Sequence, residues 1–135
     1  MFVVAAAEAL PRDLCGGVNE LTIQFPWASL LRGTLAFDPA AAVGIAGLLA
    51  PGGWLTAIVA TAARDRLMGI PAADELLDGA GPDLRRRWNR YGLELTDIRA
   101  ATAGEIAASG SSWAKRLLAT GVRDRRAVRL TLRRA

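Results

Sequence analysis

The sequence predicts an α/β fold with a mostly parallel sheet, and three observations favour it. Short runs of apolar or alternating residues, typical of strands, recur along the chain. Segments with helical periodicity separate most of these runs, as in strand–helix–strand units. The chain has 135 residues, of which 52% are apolar, and this is enough to bury one core. We therefore expect a single domain over residues 1–135, with strands at 2–5, 21–25, 54–60, 93–99 and 127–132.

Prolines and glycines mark the ends of the strands in the first half of the chain. Residues 2–5 form a continuous apolar run, which is typical of a buried strand. Pro26 ends the second strand, because proline cannot donate to a sheet. Pro51, Gly52 and Gly53 predict a turn that leads into the third strand.

Capping residues mark the predicted helices. A short helix is expected over 27–35, and Ser29 can cap its start. Asp38, followed by Pro39 at the first helical position, predicts the start of a second helix over 40–49. The remaining helices are expected at 72–77, at 82–91, and at 102–119 with an interruption at 109–111.

An uncharged stretch covers residues 39–63, and its 25 residues are enough to span a bilayer. Pro51, Gly52 and Gly53 interrupt it, so we expect buried elements rather than a membrane span. The first residues lack the basic group of a signal peptide, because Glu8 is the first charged side chain. No contact with a membrane is therefore predicted.

Composition excludes several kinds of enzyme. The chain contains no histidine, which excludes histidine general bases, histidine-dependent triads and most zinc sites, so no metal is predicted. Its single cysteine, Cys15, cannot form an internal disulfide. A cytoplasmic setting is the expectation for such a chain.

Charge is distributed unevenly along the chain. Residues 111–135 hold eight basic side chains and one acid, a net +7, whereas residues 1–110 hold nine basic and twelve acidic ones, a net −3. Such a basic end suggests a polyanionic partner. A merely solvated basic end is the alternative.

Two strand ends carry residues that suit a flat ligand, and ligands of α/β sheets bind beyond the carboxyl ends of strands. Residues 5–8 offer three small alanines and the carboxylate of Glu8, although alanine is common throughout this chain. Residues 24–29 place a proline before Trp27, which would aim the indole outward. The alternative is that Trp27 folds back onto the core.

A third candidate lies immediately before the basic end of the chain. Trp113 is followed by Lys115 and Arg116, and an aromatic ring beside cations suits stacking on a base and contact with phosphates. The alternative is an amphipathic helix with Trp113 turned inward.

Three segments in this order resemble one family, the S-adenosylmethionine-dependent 16S rRNA (adenine(1408)-N(1))-methyltransferases, which cause aminoglycoside resistance. The segments are residues 2–11 (FVVAAAEALP), 25–31 (FPWASLL) and 111–117 (SSWAKRL), and the similarity covers essentially the whole chain. The resemblance implies a Rossmann-like class I methyltransferase fold with S-adenosyl-L-methionine as cofactor. It also implies a cytoplasmic monomer that acts on 16S rRNA in the small ribosomal subunit.

The resemblance also implies roles for individual residues. Trp27 and Trp113 would stack on the two faces of the extruded adenine. The residues that would line the cofactor pocket are Ala7, Glu8, Gln24, Phe25, Pro26, Trp27, Ala28, Ser29, Ser111, Ser112 and Trp113. The residues that would hold rRNA phosphates are Lys115, Arg116, Arg123, Arg125 and Arg126. Methyl transfer from a sulfonium to a ring nitrogen is a direct displacement, so aligning the extruded base is the main requirement and histidine is not needed.

The sequence departs from the family at its start. The glycine-rich loop and the acidic residue that follow the family's first two strands have no counterpart here, and residues 2–5 match its third strand. We therefore expect an incomplete fold that lacks the first two strands and a chain that binds S-adenosylmethionine poorly by itself. Ala28 and Ser29 stand where the family usually carries Gly or Thr-like residues. A non-enzymatic RNA-binding module and an inactive remnant are the alternative functions.

Overall fold

A computed structural model describes residues 4–61, 69–110 and 127–135 of the chain, and these residues form one sheet with helices beside it. Two short 3-10 turns, Ala7–Ala9 and Arg12–Leu14, precede the first strand. The strands are β1 (Val18–Gln24), β2 (Leu49–Ala60), β3 (Leu93–Ala100) and β4 (Ala127–Arg134). The helices are α1 (Ala28–Thr34), α2 (Pro39–Leu48), α3 (Ala73–Asp78), α4 (Gly81–Asn89) and α5 (Ala103–Ala108). The predicted α/β class is confirmed.

The four strands lie in the order β1-β2-β4-β3. β1 and β2 are parallel, and β3 runs in the same direction, because β2 and β3 are both antiparallel to β4, which lies between them. Three of the four described strands therefore run in one direction, as expected for mostly parallel strands, and β4 is the exception. The reason is the connection between the last two strands. Ala100 at the end of β3 pairs with Val128 near the start of β4, so this connection leaves β3 and enters β4 at the same end of the strands. Because β4 begins beside the end of β3, it must run in the opposite direction to β3.

The start of the chain differs from the prediction. Val4 and Ala5 adopt no regular structure, and the side chain of Val4 is fully exposed, so the strand predicted over 2–5 is wrong for its described residues. Among the described strands, β1 pairs only with β2, and none lies beside Val4. A strand at this position would leave its backbone N–H and carbonyl groups unpaired, and the 3-10 turn Ala7–Ala9 that follows packs against α2 instead.

The proline–glycine turn predicted before the third strand lies inside β2. Val18 pairs with Leu49 and Glu20 pairs with Trp54, so β2 carries extra residues between these two pairs. Gly52 there has a φ of 78°, a left-handed conformation that glycine adopts without strain. These residues form a bulge rather than a break.

The larger of two core clusters lies on one face of the sheet. Along β2, Leu55, Ala57 and Val59 are fully buried, whereas Trp54 keeps 40% of its surface exposed. Trp88 of α4 is also fully buried, and its indole N–H donates to the carbonyl oxygen of Thr34 at 3.1 Å. This hydrogen bond satisfies the one polar group of the indole and joins α4 to α1.

The second helix begins as the sequence predicts, and the first does not. The Asp38 side chain accepts a hydrogen bond from the Ala41 N–H at 3.2 Å, with Pro39 at the start of α2. At α1, Trp27 occupies the capping position and no side chain caps the helix, so the capping role predicted for Ser29 was wrong. None of the helices in the described ranges is long and apolar enough to cross a membrane.

Candidate functional site

The loop between β1 and α1 has a strained backbone. Phe25 and Ala28 adopt φ values of 48° and 52°, the left-handed region that costs a residue with a β-carbon about 1–2 kcal/mol. The Phe25 N–H donates to the carbonyl oxygen of Ile58 at 2.8 Å, and Phe25 and Pro26 are buried. These contacts hold the loop at the carboxyl end of β1, next to β2.

The strained loop exposes Trp27. Its side chain is 81% exposed, although Phe25 and Pro26 immediately before it are buried. The alternative in which Trp27 folds back onto the core is therefore wrong. An exposed indole beside a strand end can stack on a planar ligand.

An open cavity of about 300 Å³ lies beside β1. Its walls come from the segment before β1, from β1 itself and from the two helices that follow. The lining residues are Ala5, Ala6, Ala7, Glu8, Leu10, Leu21, Ile23, Ser29, Leu30, Ile45 and Leu48. The cavity brings together three residues that the resemblance assigned to the cofactor, Ala7, Glu8 and Ser29. Gln24, Phe25, Pro26, Trp27 and Ala28 do not line it.

The cavity depends on a close approach between the start of the chain and α2. A β-carbon built on Gly44 would overlap the carbonyl oxygen of Ala7. Further along, the Gly16 N–H donates to the carbonyl oxygen of Gly47 at 2.7 Å. Two glycines of one helix therefore hold the segment that carries Ala7 against the helix.

The cavity lining suits part of a nucleoside-like cofactor. Small alanines allow a flat ring to approach the backbone, and leucine and isoleucine side chains form the apolar wall. Glu8 offers a carboxylate that attracts a cation, and Ser29 offers a hydroxyl. The residues present thus fit the adenine ring and one cationic group of S-adenosylmethionine.

A small apolar cluster joins the loop after β1 to β2 and β4, beside the exposed indole. Phe25, Ile58 and Ala127 form this cluster, and Ile106 of α5 packs against it. The Ala101 N–H also donates to the carbonyl oxygen of Ala127 at 2.9 Å. Chain on both sides of residues 111–126 therefore contacts the cluster that contains Phe25, two residues before Trp27.

Eight of the predicted site residues lie outside the described part of the chain. They are Ser111, Ser112, Trp113, Lys115, Arg116, Arg123, Arg125 and Arg126. Their roles stay predictions.

A charged cluster fixes α5 to the last two strands. Arg99 donates to both carboxylate oxygens of Glu105, at 2.6 and 2.8 Å, and Arg129 contacts the same carboxylate at 3.0 Å. Thr102 and Glu105 also form a reciprocal capping box. The Arg99 hydrogen bonds, together with the backbone N–H of Thr102, lower the pKa of Glu105 from 4.5 to about 2. The carboxylate therefore stays ionised and holds α5 beside Ala127.

Sequence reasoning missed two features of this site. The left-handed backbone at Phe25 and Ala28 has no signal in the sequence, because neither residue type favours that conformation. The contribution of α2 to the cavity, through Ile45 and Leu48, was also missed. Gly44 was an available signal, since a glycine inside a helix costs stability and usually has a packing reason.

The family described as NpmA: 16S rRNA (adenine(1408)-N(1))-methyltransferase matches residues 1–133 of the chain. The chain belongs to this family. Because the match runs through nearly the whole chain, it includes both the Trp27 loop and the segment of Trp113.

Two curated members of the NpmA family are similar in sequence. The 16S rRNA (adenine(1408)-N(1))-methyltransferase of Streptoalloteichus hindustanus is 34% identical over 123 residues, and that of Streptoalloteichus tenebrarius is 35% identical over 119 residues. Each alignment covers 87% of this chain and 54% of the relative. The chain therefore spans about half the length of these relatives.

Solved structures agree with this assignment. The 16S rRNA methyltransferase KamB is 31% identical with a TM-score of 0.75, over 97% of this chain and 60% of that one. The antibiotic-resistance methyltransferase Kmr is 31% identical with a TM-score of 0.72, over 98% and 60%. A variant of the Catenulisporales acidiphilia enzyme, crystallised with its cosubstrate SAM, is 24% identical with a TM-score of 0.68 and shows the fold alone. The sheet and helices described above thus belong to the fold of these methyltransferases.

Proposed function

We propose that the protein takes part in methylating N1 of adenine 1408 in 16S rRNA, the activity in the names of its relatives. It would act as a monomer on the small ribosomal subunit in the cytoplasm and thereby give aminoglycoside resistance. The observation that carries the proposal is the exposed side chain of Trp27, which lies on a strained loop whose first residue, Phe25, is buried. Strain of this kind persists where the surrounding structure holds a functional geometry.

The cofactor would occupy the cavity beside β1. S-adenosyl-L-methionine, when bound, supplies a methyl group on a positively charged sulfur. Ala7 would let its flat ring approach the backbone, and Glu8 and Ser29 would hold its polar groups. Gln24 ends β1 and Phe25 follows it, so both would border the point where the methyl group of the cofactor meets the target base. Residues 1–135 would then form one part of a methyltransferase domain.

The target adenine would stack on Trp27. Trp113 would cover its other face, with Ser111 and Ser112 closing the pocket around it. The contacts of Ile106 and Ala127 with the Phe25 cluster support this arrangement, because they bring chain on both sides of residues 111–126 close to Trp27. Indole faces also stabilise the positive charge that adenine gains on N1-methylation.

The basic end of the chain would bind rRNA phosphates. The side chains concerned are Lys115, Arg116, Arg123, Arg125 and Arg126, within a segment of net charge +7. Phosphate contacts position an RNA without reading its sequence. They would therefore supply most of the affinity, and stacking of the extruded base would determine which nucleotide is methylated.

The basic end also supports a second candidate, an RNA-binding module without catalysis. That function predicts RNA binding with a steep salt dependence, and it predicts no effect of Trp27→Ala on any activity. Methyl transfer separates the two candidates.

The test measures methylation of small ribosomal subunits. The 135-residue chain is assayed alone, and again joined to the part of the Streptoalloteichus hindustanus relative that it does not match. Reverse transcription reports the product, because a methyl group on N1 blocks the pairing edge of adenine. We expect a stop at adenine 1408 with the joined protein. No stop with the joined protein, when the relative itself produces one, would overturn the proposal.

Calorimetry tests the cofactor site of the chain alone. The cavity offers one carboxylate and one hydroxyl and lies at the small end of ligand pockets, so we expect a Kd for S-adenosylmethionine above about 1 mM. Tight binding by the 135 residues would contradict this expectation.

A further inference from the structure

Thr61 follows directly after β2, and it is a buried polar residue. Its side chain is 1% exposed, and no residue in the described ranges hydrogen-bonds to its Oγ1. Leaving a buried hydroxyl without a partner costs about 1–3 kcal/mol. Valine has the same shape and avoids this cost. The hydroxyl therefore lowers the stability of the free protein.

The other buried threonine shows the usual arrangement. Thr34 is fully buried, and its hydroxyl donates to the carbonyl oxygen of Leu30 at 2.7 Å. Buried polar groups are nearly always paired in this way, so the exception at Thr61 needs an explanation. The two threonines form a matched pair for experiments.

The position of Thr61 indicates what its hydroxyl contacts. In the strand order, β2 lies between β1 and β4. Gln24 at the end of β1 pairs with Ile58, and Ala127 at the start of β4 pairs with Ala60. Thr61 follows Ala60 directly, so it lies at the carboxyl end of β2, between the loop that carries Trp27 and the start of β4. In α/β sheets, ligands bind beyond the carboxyl ends of the parallel strands, which is where Thr61 lies.

We propose that the Thr61 hydroxyl contacts the extruded target base and accepts a hydrogen bond from the exocyclic amino group of adenine. This inference rests on the proposed function, since it takes the base stacked on Trp27 as its ligand. The free protein covers the hydroxyl, so an entering base must displace what covers it. The hydrogen bond that the hydroxyl gains on binding offsets part of that cost. Thr61 would thus select adenine over purines without the amino group.

The first test compares thermal unfolding of Thr61→Val and Thr34→Val. Removing an unpaired hydroxyl should raise the Tm by about 3 °C, whereas removing the paired hydroxyl of Thr34 should lower it. A lower Tm for Thr61→Val would show that the hydroxyl already has a partner in the protein, and it would overturn the proposal.

The second test measures RNA binding by the whole chain. The probes are a short RNA hairpin with one unpaired adenosine and the same hairpin with purine riboside, which lacks the amino group. The wild type and Thr61→Ser should prefer adenosine about fivefold, and Thr61→Val should show no preference.

Two results would overturn the proposal: no preference in the wild type, or an unchanged preference in Thr61→Val. A failure of the proposed function would appear separately, as the absence of a reverse-transcription stop in the methylation assay. That absence does not enter the binding comparison.

Discussion

The carbonyl oxygen of Ala7 lies so close to Gly44 that a β-carbon at position 44 would overlap it. Ala7 belongs to the segment that forms one wall of the cavity, and Gly44 belongs to α2, which forms the opposite wall. The width of the cavity therefore depends on a glycine that does not itself line the cavity. This contact explains why α2 tolerates a residue that weakens helices.

We expect Gly44→Ala to lower stability and disturb the cavity. Glycine to alanine inside a helix ordinarily stabilises by about 1 kcal/mol, but here the new methyl group would push the Ala7 backbone away. Gly47→Ala is the matched control, because a β-carbon there meets nothing within 4 Å. Thermal unfolding should show opposite signs for the two variants. A stabilised Gly44→Ala would contradict the close packing of Ala7.

We expect Ala28→Gly to stabilise the protein. Ala28 adopts a φ of 52°, and glycine removes the cost of that conformation, about 1 kcal/mol. Ala40→Gly in α2 is the control, since Ala40 is helical and exposed, and glycine there should destabilise. Denaturant unfolding measures both changes. Equal destabilisation by both variants would show that Ala28 carries no strain.

Much of this architecture could be predicted because its signals are local. Asp38 before Pro39 marks a helix start by capping chemistry alone, and Pro26 after an alternating run marks the end of β1. The direction of β4 could not be predicted, because it depends on where the connection from β3 returns to the sheet. The left-handed backbone conformation of Phe25 could not be predicted either, since it is imposed by burial and by the hydrogen bond with Ile58. Predictions of the site therefore found the exposed indole but not the strain beneath it.

We expect Glu105→Gln to remove a pH-dependent part of the stability. The pKa of Glu105 falls from 4.5 to about 2 on folding, so the carboxylate stabilises the fold above pH 4.5. That contribution is lost as the pH falls from 4.5 through about 2. At neutral pH the variant should lose about 1 kcal/mol, a modest figure because Arg99 is partly exposed.

The pH dependence of unfolding separates this ion pair from a general effect of charge. Glu94→Gln is the control, because Glu94 is exposed and lies at the opposite end of β3 from Arg99. The wild type and the control should lose stability between pH 4.5 and pH 2 more steeply than Glu105→Gln does. Parallel profiles for all three proteins would contradict the role of Arg99 and Arg129.

The exposed indole of Trp27 is the feature on which the account depends, and Trp54 is its matched control. Trp54 is also exposed, at 40%, but it lies within β2 beside Arg133, away from the strand end. In the protein joined to the remainder of the Streptoalloteichus hindustanus relative, both methylation of adenine 1408 and affinity for the RNA are measured.

Trp27→Ala should reduce the methylation rate at least tenfold, since stacking on a base contributes about 1–3 kcal/mol. Its RNA affinity should fall by less than the methylation rate does, because phosphate contacts supply most of the binding. Trp54→Ala should methylate normally. Methylation by Trp27→Ala at the wild-type rate would contradict the account.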